Sequence, residues 1–191
     1  KGALILPSKY LTKNDELLLS ARKLFEGIVG EQNEITIEQL RAFGGFYRHP
    51  NGRVVNIPHY ALVKKVDFRN SKWLEFGFKW YPVKMVPDLA YDHNEVVDYA
   101  LERLKRRVKR RPVGFHLLSE EFTLGQLQNL YESALGKKFD RRNFRKKLFN
   151  TTLIIDLEKA ADGIENGQKK GSKLYKFNSA EYDKMKIQGY D

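Results

Sequence analysis

The feature that most restricts the fold lies between Thr123 and Phe149, where two helical patterns follow one another across a short link. Thr123, with Gln126 three residues later, is a capping-box start; Leu124, Leu127, Tyr131 and Leu135 recur as one apolar stripe, and Gly136 ends it. Lys137-Lys138-Phe139 then leads to Asp140, whose side chain suits the N-cap of a second helix over 141–149. In that second helix Phe144 and Leu148 are four apart and face a core, while Arg141, Arg142, Asn143, Arg145 and Lys146 face outward. The order is helix, tight turn, basic helix.

The charge is distributed to match. The chain carries a net +11, but residues 1–100 hold 14 Lys+Arg against 12 Asp+Glu, whereas residues 101–191 hold 21 against 12. A basic surface attracts a polyanion by releasing its counterions, which makes nucleic acid the leading partner for the second half. Arg can bond guanine bidentately and Asn adenine, and an exposed helix of this kind fits the major groove of duplex DNA. Downstream, Thr152 to Leu157 reads as a β-branched strand and Lys173 to Phe177 as another, joined by a polar loop with Gly163, Gly167 and Gly171. A hairpin of this form places Gln168, Lys169, Lys170 and Lys173 where they can follow a phosphate backbone, as the wing of a winged helix does.

The first half is mixed. Asp15 to Val29 is leucine-rich and helical in pattern, Glu34 to Phe46 alternates like a strand through Ile35 and Ile37, and a turn at Pro50-Asn51-Gly52 precedes a second strand-like run, Val54 to Val63. Trp73 to Val86 is a third β-rich stretch, in which Trp73, Phe76, Phe78, Trp80 and Tyr81 alternate and are expected to be mostly core or interface. Pro87 ends it, and Asp92 with Glu95 resembles a capping box for a helix that runs to the basic stretch before Pro112. The domain boundary is expected within 87–112.

Other chemistry finds little footing. There is no cysteine, which removes disulfides and thiolate sites and suits a reducing cytoplasm. No apolar run approaches the roughly 20 residues of a membrane span. His49, His59, His93 and His116 show no metal-ligand spacing and are expected to be ordinary loop or surface residues. Gly44-Gly45 reads as a bulge or strand end rather than a phosphate loop.

Taken together, Asn143-Phe144-Arg145 in the second helix, Leu174-Tyr175-Lys176-Phe177 in the closing strand, His49-Pro50-Asn51-Gly52-Arg53-Val54 before a strand, and Leu6-Pro7 near the start are co-linear with a known pattern. The sequence resembles the Nudix-related transcriptional regulators, which join a Nudix-like domain to a C-terminal winged helix. The resemblance implies an effector of the sugar or ADP-ribose class, with Arg53 as an effector-binding residue, and a homodimer acting on duplex DNA. A catalytic Nudix helix needs clustered glutamates to hold divalent ions. Here the corresponding positions are Lys23, Leu24, Gly27 and Ile28, and a shift of one residue recovers Glu26 alone. The first strands of a Nudix fold, expected upstream of Leu6, are not in this sequence.

The expectation is therefore an α+β chain. Residues 1–90 form a degenerate Nudix-like α/β/α sensor domain, 91–111 a connecting helix, and 112–191 a winged helix-turn-helix that binds DNA through Arg141, Arg142, Asn143, Arg145, Lys146, Gln168, Lys169, Lys170 and Lys173. No catalytic residue, metal site or cofactor is assigned. The alternative is a Nudix hydrolase acting on a nucleoside diphosphate derivative such as ADP-ribose.

Overall fold

The structure is a computed structural model that describes residues 2–30, 35–50, 52–63, 77–110, 115–161 and 170–187. It divides into two compact units, Lys1–Arg103 and Leu104–Asp191. Both α-helices and antiparallel strands are present, so the mixed α+β class holds.

In the first unit, helix α1 spans Leu17–Val29. Its N-cap is Glu16, whose carboxylate accepts from the N–H groups of Leu18 and Leu19 and so satisfies two donors that the first helical turn leaves open. Strand β1 (Thr36–Gln39) pairs antiparallel with β2 (His59–Leu62), Glu38 lying opposite Tyr60. The Tyr60 hydroxyl donates to Glu38 at 2.8 Å, and Arg103 donates to the other oxygen at 2.7 Å. Helix α2, His93–Arg110, supplies that arginine. Both strands are shorter than the sequence pattern suggests, with an isolated bridge between Phe43 and Asn56 beyond them.

The third β-rich stretch is not a strand where it is described. Residues 77–86 hold a turn at Gly77, with φ +83°, and a 3-10 turn at Val83–Met85. Trp80 and Tyr81 are 52% and 40% exposed. Pro82 and Pro87 have no N–H to give a ladder, so aromatic alternation did not suffice to make a strand. Trp73 and Phe76 lie outside the described residues.

The histidine expectation also needs correction. His93 is buried, and its Nδ1 accepts from the backbone N–H of Leu6 at 3.0 Å. Burial pushes its pKa below the usual histidine value. It is a neutral structural acceptor, placed by the start of α2. Asp92 does not cap α2 in the expected box arrangement with Glu95, because its carboxylate takes a bidentate pair from Arg48 at 2.6 and 2.8 Å.

In the second unit, β3 (Glu121–Thr123) leads directly into α3 (Leu124–Leu135), followed by α4 (Arg141–Phe149), β4 (Ile154–Ala160), β5 (Lys173–Phe177) and α5 (Ser179–Ile187). The sheet order is β3-β5-β4, antiparallel throughout. Its core is formed by Phe115, Phe122, Leu124, Leu127, Leu148 and Tyr175. Phe122 and Leu127 are 1% and 0% exposed, and full burial of a side chain of this size stabilises by about 1.5–3 kcal/mol. Phe115 stacks on Phe177 with centroids 4.2 Å apart, tying the segment before β3 to the end of β5.

Candidate nucleic-acid interface

The helix-turn-helix is built by local signals. Thr123 Oγ1 accepts from the N–H of Gln126 at 3.2 Å while the Gln126 side chain accepts from the N–H of Thr123 at 2.8 Å, a complete capping box. At the far end Gly136 takes φ +68°, the left-handed conformation that a residue with a Cβ adopts at a cost, and its N–H returns to the carbonyl of Glu132. Asp140 Oδ1 accepts from the N–H of Asn143 at 2.9 Å and starts α4.

The turn between these helices is held by a residue the sequence reading passed over. The carboxylate of Glu132 accepts from Lys138 Nζ at 2.7 Å, from the N–H of Phe139 at 2.9 Å and from Gln128 Nε2 at 2.9 Å. Gln128 also donates to the carbonyl of Phe139. Glu132 is 8% exposed, and the Lys138 ammonium, the Phe139 N–H and the Gln128 amide together hold its pKa down at about 2. It is therefore a buried carboxylate that accepts from three donors. Only Gln128, four residues earlier on the same helix, lies at a helical spacing; Lys138 and Phe139 reach the carboxylate from beyond the end of α3.

On α4 the two faces separate as the periodicity requires. Leu148 is buried and Phe144 packs against the core, edge-on to Tyr131 with centroids 5.8 Å apart. Burial pushes the Tyr131 hydroxyl up to about 12, so it stays neutral beneath the basic face. Arg141, Arg142, Asn143, Arg145, Lys146 and Lys147 are all exposed. The structure thus brings the five helix residues of the expected set together on one surface.

The wing is less free than its composition suggests. β4 and β5 form the hairpin, with a register shift between Asp156 and Ala160. Lys173 pairs with Asp156 at 3.2 Å, an interaction that raises the lysine pKa. Lys170 is exposed, and Gln168 and Lys169 lie outside the described residues. Of the two wing lysines that are described, Lys173 is thus engaged by Asp156.

Arg53, expected to touch an effector, is exposed, and one of its guanidinium nitrogens donates to the carbonyls of Gly44 and Gly45 at 2.6 and 3.1 Å. In α1 the acid Glu26 is paired with Arg22 at 3.4 Å. Among the described residues no three His, Asp or Glu side chains converge as a metal site, and no helix is long and apolar enough to cross a membrane.

Residues 114–177 match the family described as the NrtR DNA-binding winged helix domain. The chain is 26% identical over 149 residues to a protein of Acinetobacter baylyi named ADPR responsive transcriptional repressor NtrR, an alignment covering 77% of this chain and 58% of that protein. It thus spans little more than half the length of that relative. Its fold is similar to that of Shewanella oneidensis NrtR complexed with a 27mer DNA, with TM-score 0.73, 25% identity, and coverage of 93% of this chain and 80% of that one. A MutT/nudix family protein from Enterococcus faecalis shares the fold at TM-score 0.64 and 20% identity, over 91% of this chain and 73% of that one.

Proposed function

We propose that this chain, whose second unit carries a winged helix of the NrtR type, is a cytoplasmic transcriptional regulator that binds duplex DNA and answers to a small metabolite of the sugar or ADP-ribose class. The observation that carries the reading is the exposed basic face of α4, mounted on a helix-turn-helix within residues 114–177. The DNA complex of the Shewanella relative and the repressor name of the Acinetobacter relative support it.

Arg142 and Asn143, in the first turn of α4, read base edges, while Arg141, Arg145 and Lys146 hold phosphates. Lys170, with Gln168 and Lys169, adds phosphate contacts from the wing. The first unit is a sensor without catalytic activity: Lys23, Leu24, Gly27 and Ile28 stand where a hydrolase carries carboxylates, and Glu26 is engaged by Arg22. Two copies form a homodimer, and the effector shifts operator affinity by as much as it prefers one arrangement of the pair over another.

Fluorescence anisotropy with labelled genomic fragments, with and without ADP-ribose, tests the reading. Selective, salt-sensitive binding to particular duplexes that ADP-ribose alters is the expected result. Equal affinity for all duplexes and for single strands would contradict it.

A further inference from the structure

The first unit contains a groove of about 360 Å³ lined by Arg41, Gly44, Gly45 and Glu95 together with the structural residues Phe43, Arg48 and Asp92. That volume lies within the range of about 300–1,000 Å³ typical of small-molecule sites. Its charges are of two kinds. Arg48 and Asp92 form a bidentate pair whose side chains are 5% and 15% exposed, so they neutralise each other and supply a fixed wall. Arg41 is different: its guanidinium lies 4.1 Å from the ring centroid of Phe43 and 5.0 Å from that of Tyr99, and among the described residues no carboxylate pairs with it. Resting on two rings fixes the plane of the guanidinium while leaving its donors uncommitted. Glu95, exposed in the first turn of α2, also lines the groove without an ion pair among the described residues.

Gly44 and Gly45 provide the second observation. Neither has a positive φ, and a Cβ built on either would meet no atom closer than 3.9 Å. Backbone strain and packing therefore do not call for glycine at these two positions. Both line the groove, so side chains there would take up its volume. Arg53 donates to both carbonyls through Nη1 and holds this edge in place.

We infer that this groove seats the effector, with Arg41 bonding a phosphate and Glu95 accepting from sugar hydroxyls, which is the donor and acceptor pair that a phosphorylated sugar such as the ribose phosphate half of ADP-ribose requires. The inference rests on reading the first unit as a sensor. Gly44 and Gly45 leave room for the ligand, and the Arg48–Asp92 wall gives the groove its shape without competing for the ligand's charge.

Isothermal titration calorimetry with ADP-ribose and with ribose 5-phosphate tests this on the wild-type chain, on Arg41→Ala and on the double variant Gly44→Ala/Gly45→Ala. Both variants are expected to bind ADP-ribose about tenfold to a hundredfold more weakly, the loss of one charge-assisted bond or of the space for it. The glycine variant should keep the wild-type melting temperature, since it creates neither strain nor a clash. Unchanged ADP-ribose affinity in both variants would place the ligand elsewhere and overturn the groove while leaving the sensor reading intact. Failure of the wild type to bind either compound would overturn the sensor reading itself, and this inference with it.

Discussion

The carboxylate of Glu132, in α3, accepts a hydrogen bond from the backbone N–H of Phe139 at 2.9 Å, across the turn that leads into the basic helix α4. The same residue's backbone carbonyl accepts from the N–H groups of Gly136 and Lys137 at 2.9 and 3.3 Å. One side chain and its own peptide group thus set where α4 begins. Glu132→Gln would replace an acceptor by an amide that faces the Lys138 ammonium and the Gln128 amide, both donors. We expect a fall of roughly 5 °C in the melting temperature of the second unit and weaker duplex binding. Calorimetry and anisotropy measure the two effects, and Lys138→Ala, which removes only an exposed partner, should do less of both.

The same carboxylate gives a pH signature. Its folded pKa of about 2 lies below the ordinary glutamate value, so the stabilisation is fully present above that ordinary value and is lost as pH falls towards 2. His93 acts at milder pH. Its folded pKa is lowered from 6.5 by burial, so the unfolded chain takes up the proton more readily, and stability declines as pH falls below about 6.5. Thermal melts from pH 8 to pH 5 should show this decline in the wild type. In His93→Gln, which keeps an acceptor for Leu6 without titrating, the slope should be reduced.

Catalysis is expected to be absent. With Lys23, Leu24, Gly27 and Ile28 at the metal-binding positions of the resembling pattern, magnesium or manganese should not promote hydrolysis of ADP-ribose by the purified chain. Product chromatography after prolonged incubation checks this. Turnover that a chelator abolishes would restore the hydrolase alternative.

A single α4 covers few base pairs, and helix-turn-helix proteins usually read paired half-sites. We expect a homodimer on a roughly palindromic operator. Light scattering at DNA-binding concentrations should give twice the chain mass, and a mass of 22.4 kDa with one half-site protected would count against the dimer.

What was legible in the sequence was mainly what neighbours in the chain decide. The capping box of Thr123 and Gln126, the glycine stop at Gly136 and the N-cap Asp140 involve residues within a turn of one another, and each is found where its spacing indicates. Apolar periodicity likewise oriented α4 correctly. The rest depends on partners far along the chain. Arg48 and Asp92 are 44 residues apart, and their pairing redirected a carboxylate that local spacing assigned to a cap. Strand β3 is three residues long, too short to show a period, and exists because β5 offers it an edge. Trp80 and Tyr81 carried a strand-like pattern that Pro82 and Gly77 overrode. For Glu132 the only local signal was the four-residue spacing from Gln128, and its other donors, Lys138 and Phe139, come from beyond the end of α3.

The central claim is that α4 reads sequence while the wing supplies charge, and the ratio of specific to random duplex affinity tests it most directly. That ratio should be measured by fluorescence anisotropy over a salt series for the wild type, Arg142→Ala, Asn143→Ala and Lys170→Ala. The account predicts that Arg142→Ala and Asn143→Ala each cost about 1–3 kcal/mol, mainly on the preferred duplex, so the ratio narrows. Lys170→Ala should weaken all duplexes alike and reduce the salt slope by about one unit, leaving the ratio unchanged. A ratio unaltered by the two α4 substitutions in folded protein would contradict the account, because the exposed face of α4 would then not be the reader.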